Sequence, residues 1–206
     1  DTIRVAAYAS IAMHWMPEIL YRFRRVCPNI DVDLRMVDNA IEPFELLEKG
    51  RTDVIFAAKQ AGFSCDWTPL CQDAMYAILP PDYPLDGQET FPIKAFEGKE
   101  FLMPYGKFDL DVKAALSANN VKPKIRPCHV DDETVIRMVG KGLGLSMMAE
   151  MMIRGRTNGV TAVPIEPATG RELGMGLHMR ESMPDGILRL RECVLAFIGT
   201  LPGTES

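Results

Sequence analysis

Three short segments decide the fold: Ile3-Arg4-Val5-Ala6-Ala7, Ile30-Asp31-Val32-Asp33-Leu34-Arg35-Met36 and Asp53-Val54-Ile55-Phe56-Ala57-Ala58. The first and third are short, largely apolar runs of the kind that form buried strands. The second alternates, so Ile30, Val32, Leu34 and Met36 are expected on one face. Between the first two, Ala12, Trp15, Met16, Ile19, Leu20, Phe23 and Val26 recur at helical spacing. Ser10 is the candidate N-cap of that helix. Pro17 predicts either an irregular first turn or a start near Pro17, and Pro28-Asn29 ends the helix. Before the third segment a short helix carries Pro43 in its first turn, turns Phe44 and Leu47 inward and stops at Gly50. Three strands joined by two helices within about 60 residues make a βαβαβ unit with a parallel sheet.

Working outward, residues 59–72 show no period and read as a loop. A strand is expected at Ala74–Leu79, ended by Pro80-Pro81, and residues 80–98 read as mostly irregular. Phe101-Leu102-Met103 opens a second α/β set, with helices over 109–119 and from Asp131 or Asp132, and a strand near 125–130. Leu145-Ser146-Met147, Val160–Ile165 and Leu173–Met179 are further strands, with a helix around 149–154 and a last one over 186–199.

Composition narrows the function classes. The 206 residues carry 23 Lys+Arg against 28 Asp+Glu, a formal charge of −5, and 47% are hydrophobic. A folded surface of roughly 9,600 Å² against about 33,000 Å² unfolded leaves ample area for a core, which excludes a disordered chain or a disulfide-stapled miniprotein. There is no apolar run of ~18 residues to span a membrane. The acidic balance, without a Lys/Arg block, argues against direct nucleic-acid binding. The five cysteines (27, 65, 71, 128, 193) form no CxxC pair and read as reduced thiols of a cytosolic protein. The chain opens on Asp1, which fits either a removed signal peptide or an upstream domain.

The motif candidates mostly read as structural. Gly140-Lys141-Gly142-Leu143-Gly144 ends a helix and fits neither phosphate-loop pattern, so it reads as a cap and tight turn. His14, His129 and His178 form no metal-spaced pair, and there is no Gly-x-Ser-x-Gly elbow. Asp131-Asp132-Glu133 suits a helix start better than an acid–base site. Met147, Met148, Met151 and Met152 read as core filling, and Cys128 as a buried, inert thiol. No metal, cofactor or catalytic set is expected. What survives is a rule of topology: in open α/β sheets, ligands bind beyond the carboxyl ends of the strands. Those ends are Tyr8-Ala9-Ser10, Asp38-Asn39, Ala57-Ala58-Lys59, Pro104-Tyr105-Gly106 and His129-Val130-Asp131.

The same positions carry an ordered series: Ile3-Arg4-Val5, Trp15-Met16-Pro17, Phe23, Pro28, Ile30, Leu46-Leu47, Gly50 and Asp53-Val54-Ile55, then Pro69-Leu70, Tyr83-Pro84-Leu85, Val135 to Val139 and Gly142-Leu143-Gly144. Over nearly its whole length the chain resembles the effector-binding domain of LysR-type transcriptional regulators. It departs from the family at Ser146-Met147-Met148-Ala149-Glu150, where a Pro usually precedes the Glu, and in carrying no amino-terminal winged helix-turn-helix.

The resemblance implies an α/β fold like that of type 2 periplasmic binding proteins, two α/β subdomains joined by two crossover strands. Subdomain one would be 1–73 with 168–206, and subdomain two 74–167. It implies a small-molecule effector in the cleft, a homodimer or tetramer using the 30–36 strand and the helix after it, and DNA contact only through the helix-turn-helix domain. It implies no catalysis, no cofactor, no membrane and a cytoplasmic location. Carried over by position, the effector-binding residues are Tyr8, Ser10, Ile11, Asn39 and Ala58, and in subdomain two Tyr105, Gly106, Phe108, Val130 and Asp131. Ser10 and Asn39 would hydrogen-bond the effector, and Tyr105 and Phe108 would wall it. Asp131 would repel anions or pair with an ammonium; Lys59 and Lys107 leave the effector's charge open. The alternative is an extracytoplasmic solute-binding protein of a transporter, and the third reading an enzyme on this fold.

Overall fold

The computed structural model describes residues 1–106 and 109–202. In chain order the elements are β1 (Thr2–Tyr8), α1 (Ala9–His14), α2 (Met16–Val26), β2 (Asp31–Val37), α3 (Glu42–Glu48), β3 (Val54–Ala58), β4 (Asp66–Leu79), β5 (Phe91–Pro92), β6 (Glu100–Met103), α4 (Leu110–Ala118), β7 (Lys124–Pro127), α5 (Asp132–Gly140), β8 (Ser146–Ala149), α6 (Glu150–Ile153), β9 (Thr161–Glu166), β10 (Gly170–Leu177) and α7 (Asp185–Ile198). Two compact units result: Asp1–Gln72 with Glu172 onward, and Asp73–Arg171. The division falls inside β4 and β10, the two strands that run from one unit into the other.

In the first unit β1 lies between β2 and β3, parallel to both, and β10 runs antiparallel to β3. This is the expected βαβαβ order, and β3 is buried at every residue. On one face Trp15, Ile19 and Phe23 are buried with Leu190, Val194 and Phe197 of α7, where the Trp15 and Phe197 rings meet edge-on at 6.4 Å. The first helix departs from the sequence reading. It is two helices broken at Trp15, and Ser10 is no cap: it lies inside α1, while Tyr8 stands at the cap position. The break follows from Pro17 in the first turn of α2, which has no N–H to donate and crowds the turn before it. Met36, on the alternating face of β2, stands 65% exposed.

In the second unit β4 pairs antiparallel with β8 and β9, and β5 runs parallel to β9. A parallel pair, β6 and β7, joins β8 through Leu145, whose C=O accepts from Leu102 N–H at 2.8 Å and whose N–H donates to Glu100 C=O at 2.9 Å. Phe91, Ile93 and Phe96 belong to the core, with ring centroids 4.7 Å apart for Phe91–Phe96 and 5.2 Å for Phe96–Phe101. They sit in the stretch read as irregular. A two-residue strand and a single 3-10 turn are too short to show a period. The glycine run does end α5: Lys141 N–H bonds back to Arg137 and Met138 C=O, and Gly142 turns left-handed at φ 78°.

The loop expected over 59–72 is in large part strand, since β4 begins at Asp66. Its early half is held from outside its own sequence. Trp67 stacks on Phe44 at 6.0 Å, and its indole N–H donates to Glu172 Oε2 at 3.0 Å. Where β4 and β10 enter the second unit, Arg171 Nε donates to Asp73 Oδ2 at 2.9 Å, with the two side chains only 7% and 2% exposed. Asp73 Oδ1 also accepts the backbone N–H of Met151 at 3.1 Å, near the start of α6. Gly170 permits the close approach, because a Cβ there would sit 2.6 Å from the Asp73 carbonyl oxygen. Removing one partner of such a pair strands a buried charge. Arg171→Ala should therefore cost about 3–5 kcal/mol, read as a lower urea midpoint in equilibrium denaturation.

Candidate functional site

The first unit sets one group of candidate residues at the carboxyl edge of its parallel sheet. Tyr8 ends β1 opposite Val37, and Ala58 ends β3. The Tyr8 ring is buried, and its hydroxyl donates to Ala40 C=O at 2.8 Å, tying the end of β1 to the loop after β2. Asn39 Oδ1 accepts the N–H of Ile41 at 2.9 Å and of Glu42 at 3.4 Å, so this carboxamide oxygen serves the turn into α3. Ser10 is 8% exposed; Ile11 and Ala58, at 0% and 1%, offer no side-chain surface. Lys59 Nζ, at the same edge, is 3.9 Å from Glu172.

The second unit gathers the other group. β6 and β7 are in register, Met103 opposite Pro127, so the loops that follow them meet. Tyr105 N–H donates to Val130 C=O and Gly106 N–H to Cys128 C=O, each at 2.7 Å. Tyr105 and Gly106 are both left-handed, at φ 59° and 62°. A Cβ on Gly106 would overlap the His129 imidazole, so a side chain there would need that ring to move as well as a left-handed backbone that favours glycine. Phe108 and Lys107 lie outside the described residues.

Asp131 caps α5 as the sequence predicts, its Oδ1 accepting Thr134 N–H at 2.8 Å. Hydrogen bonds from the Thr134 hydroxyl and backbone hold the Asp131 carboxyl below its ordinary range. Asp132, not singled out as a ligand residue, joins Tyr105 to Arg156: its Oδ1 is 3.5 Å from the Tyr105 hydroxyl and 3.1 Å from Arg156 Nη1. Arg156 gave no signal in the sequence. Only the path from α6 to β9 brings it to α5.

A second acidic group lies apart from these strand ends. Asp109 caps α4, its Oδ1 accepting from Asp111 and Val112 N–H at 2.9 and 3.0 Å. Asp111 lines a recess walled by Met75, Met103, Met147 and Met152, with Arg171 beside it. Burial, then Asp109, push the Asp111 carboxyl up to about 6; Arg171 pulls it back, and Asp73 adds repulsion. All five cysteines are free thiols, and burial raises Cys65 and Cys193. Among the described residues no group of three or more His, Cys, Asp or Glu is placed to hold a metal ion, and no helix is long and apolar enough to cross a membrane.

The family model for the LysR substrate binding domain matches residues 1–198. The chain belongs to that family. LysR-family relatives include the HTH-type transcriptional regulator TtuA of Agrobacterium vitis, 25% identical over 83% of this chain and 58% of that protein. The probable HTH-type transcriptional regulator LrrA of Synechococcus elongatus is 25% identical over 80% and 53%. The chain thus spans little more than half the length of these relatives. Both relatives are named as transcriptional regulators. The fold matches the Synechocystis CcmR regulatory domain in complex with 2-PG at a TM-score of 0.84 and 18% identity, covering 97% of this chain and 98% of that one. It also matches the BenM effector binding domain with its effector benzoate, at 0.80 and 20%, covering 96% and 92%. These neighbours fix the LysR regulatory-domain fold, that of type 2 periplasmic binding proteins.

The raised Asp111 carboxyl has a consequence for stability. Its folded value lies above the unfolded one near 3.8, so the folded state binds the extra proton between them. Stability from this group is full below about pH 4, falls as pH rises towards 6 and stays low above. Asp111→Asn should raise the unfolding free energy at pH 7.5 by on the order of 2–3 kcal/mol. That gain should shrink towards zero at pH 4, as followed by urea titration at both pH values.

Proposed function

We propose that this domain senses a small-molecule effector for a LysR-type transcriptional regulator and dimerises to pass that signal to DNA-binding heads outside this chain. The effector is held in the cleft that the family resemblance implies. Tyr8, Ser10, Ile11, Asn39 and Ala58 serve it from the first unit, and Tyr105, Gly106, Phe108, Val130 and Asp131 from the second. The observation that carries this reading is that strand register gathers Tyr8, Asn39 and Ala58 at one sheet edge, and hydrogen bonds join Tyr105 and Gly106 to the loop of Val130. Strand carboxyl ends are where open α/β sheets bind ligands. Ile11 and Ala58 act through backbone, since their side chains are buried. The regulator works in the cytoplasm, with its thiols reduced.

Effector binding shifts the balance between two domain states, a coupling typically of about 1–3 kcal/mol. The copies associate through β2, which pairs with β1 alone among the described strands and shows Met36 to solvent, with Tyr21 and Val26 of α2 at 59% and 57% exposure.

Native mass spectrometry of the freshly purified domain should reveal a co-purified small molecule. Ser10→Ala and Tyr105→Ala should each weaken its binding about tenfold or more; unchanged affinity in both would refute the site. Light scattering behind size exclusion should give twice the mass of one chain, and a monomer at high micromolar concentration would remove the dimer.

A further inference from the structure

Two half-buried thiols of the first unit are brought to one seam between helices. Ile30, just after α2, lies against the first turn of α7, where a Cβ on Gly186 would stand 2.8 Å from Ile30 Cδ1. Trp15, just before α2, meets Phe197 in the last turn of α7, and Arg22 Cζ lies 5.8 Å from the centre of the same ring. The two helices therefore run antiparallel and are anchored at both ends. On α7, Gly186, Leu190, Cys193 and Phe197 follow helical spacing and share the face turned to α2. Between the anchors that face carries one thiol, Cys193. Opposite it, Cys27 is the C-cap of α2, where the chain leaves the helix at φ −132° and ψ 66° on its way to Ile30. Both cysteines are free and half-buried. Burial, then Cys27 and Glu192, push the Cys193 thiol up, and Arg22 pulls it back. The other three thiols are elsewhere: Cys65 beside Gly176 of β10, Cys71 on β4 and Cys128 in the second unit.

We propose that Cys27 and Cys193 form a redox-modification site, closed into a disulfide by a peroxide and reopened by a dithiol. It lies wholly in the first unit and is independent of the effector reading above. The thiolate is the nucleophile, and the raised Cys193 thiol keeps its proton at neutral pH, which gives it the second role. Cys27 attacks hydrogen peroxide as its thiolate. The O–O bond breaks, one oxygen takes a proton and leaves as water, and Cys27 becomes a sulfenic acid. The Cys193 sulfur then displaces that hydroxyl, which leaves as a second water with the Cys193 proton. Two thiols lose two electrons and two protons, and the peroxide takes them up. A dithiol reverses the bond by exchange and is itself oxidised to a disulfide. The non-helical cap lets Cys27 adjust to the Cα separation of about 4.4–6.8 Å that a disulfide needs.

The test treats the reduced, unmodified domain with hydrogen peroxide, blocks the remaining thiols with N-ethylmaleimide and maps the peptides by mass spectrometry without reduction. The expected product is a single chain lighter by two hydrogen atoms before blocking, with the peptides of Cys27 and Cys193 joined and released again by dithiothreitol. Because the bond closes most of the chain into a loop, the oxidised chain should also run faster on a denaturing gel without reductant. Cys193→Ser should leave a sulfenic acid at Cys27 that dimedone traps, and Cys27→Ser about tenfold less adduct at Cys193. The peptide map needs no variant, so it decides the pair even if a variant folds poorly. Peroxide that leaves Cys27 and Cys193 unjoined, or joins either to another cysteine or to a second chain instead, overturns the proposal. A Cys27–Cys193 bond with more dimedone adduct at Cys193 than at Cys27 upholds the pair and overturns the order of attack.

Discussion

The buried pair of Asp73 and Arg171 constrains the rest of the second unit. Two charges with almost no exposure are tolerable only when each is matched, and here one carboxylate serves both the guanidinium of β10 and a backbone N–H near the start of α6. That arrangement fixes β4, β10 and α6 together at the point where both connecting strands enter the unit. Gly170 is part of it, since any side chain would push the two backbones apart. Asp111, raised by burial in the neighbouring recess, feels the same charges. This corner trades some stability at neutral pH for a fixed geometry.

Around that point the two units solve one problem in two ways. Each places short parallel strands with helices packed against them, so loops collect at the strands' carboxyl ends. In the first unit these loops are held by a phenol and a carboxamide, Tyr8 and Asn39. In the second they are held by backbone hydrogen bonds and a left-handed Tyr105-Gly106 pair, with Asp132 bridging to Arg156. The side chains at the candidate site are thus largely committed to shaping the loops.

Much of this was legible in the chain itself. Alternation at 30–36, the apolar run at 54–58 and helical spacing through Phe23 made the strands and the helices between them readable, and strands joined by helices in this way run parallel. The ordered family series likewise identified a LysR effector-binding domain, and Asp131 was readable as a cap because local hydrogen bonding needs only neighbours in sequence. Other features were invisible for a stated reason. Phe91, Ile93 and Phe96 lie in elements too short to repeat. The early half of β4 is strand because Trp67 finds Glu172 and Phe44, partners far away in the chain. The break at Trp15 needed the backbone to choose between two outcomes that Pro17 allowed.

The sequence by itself therefore determined the class of fold, the family and the strand ends where a ligand is sought, since all three follow from local period and ordered motif. Only the tertiary structure decided which polar groups are already spent. The pairings Asp73–Arg171, Asp132–Arg156 and Trp67–Glu172 join residues 98, 24 and 105 positions apart. A hydrogen bond or ion pair depends on distance in space, and no spacing along the chain reports it.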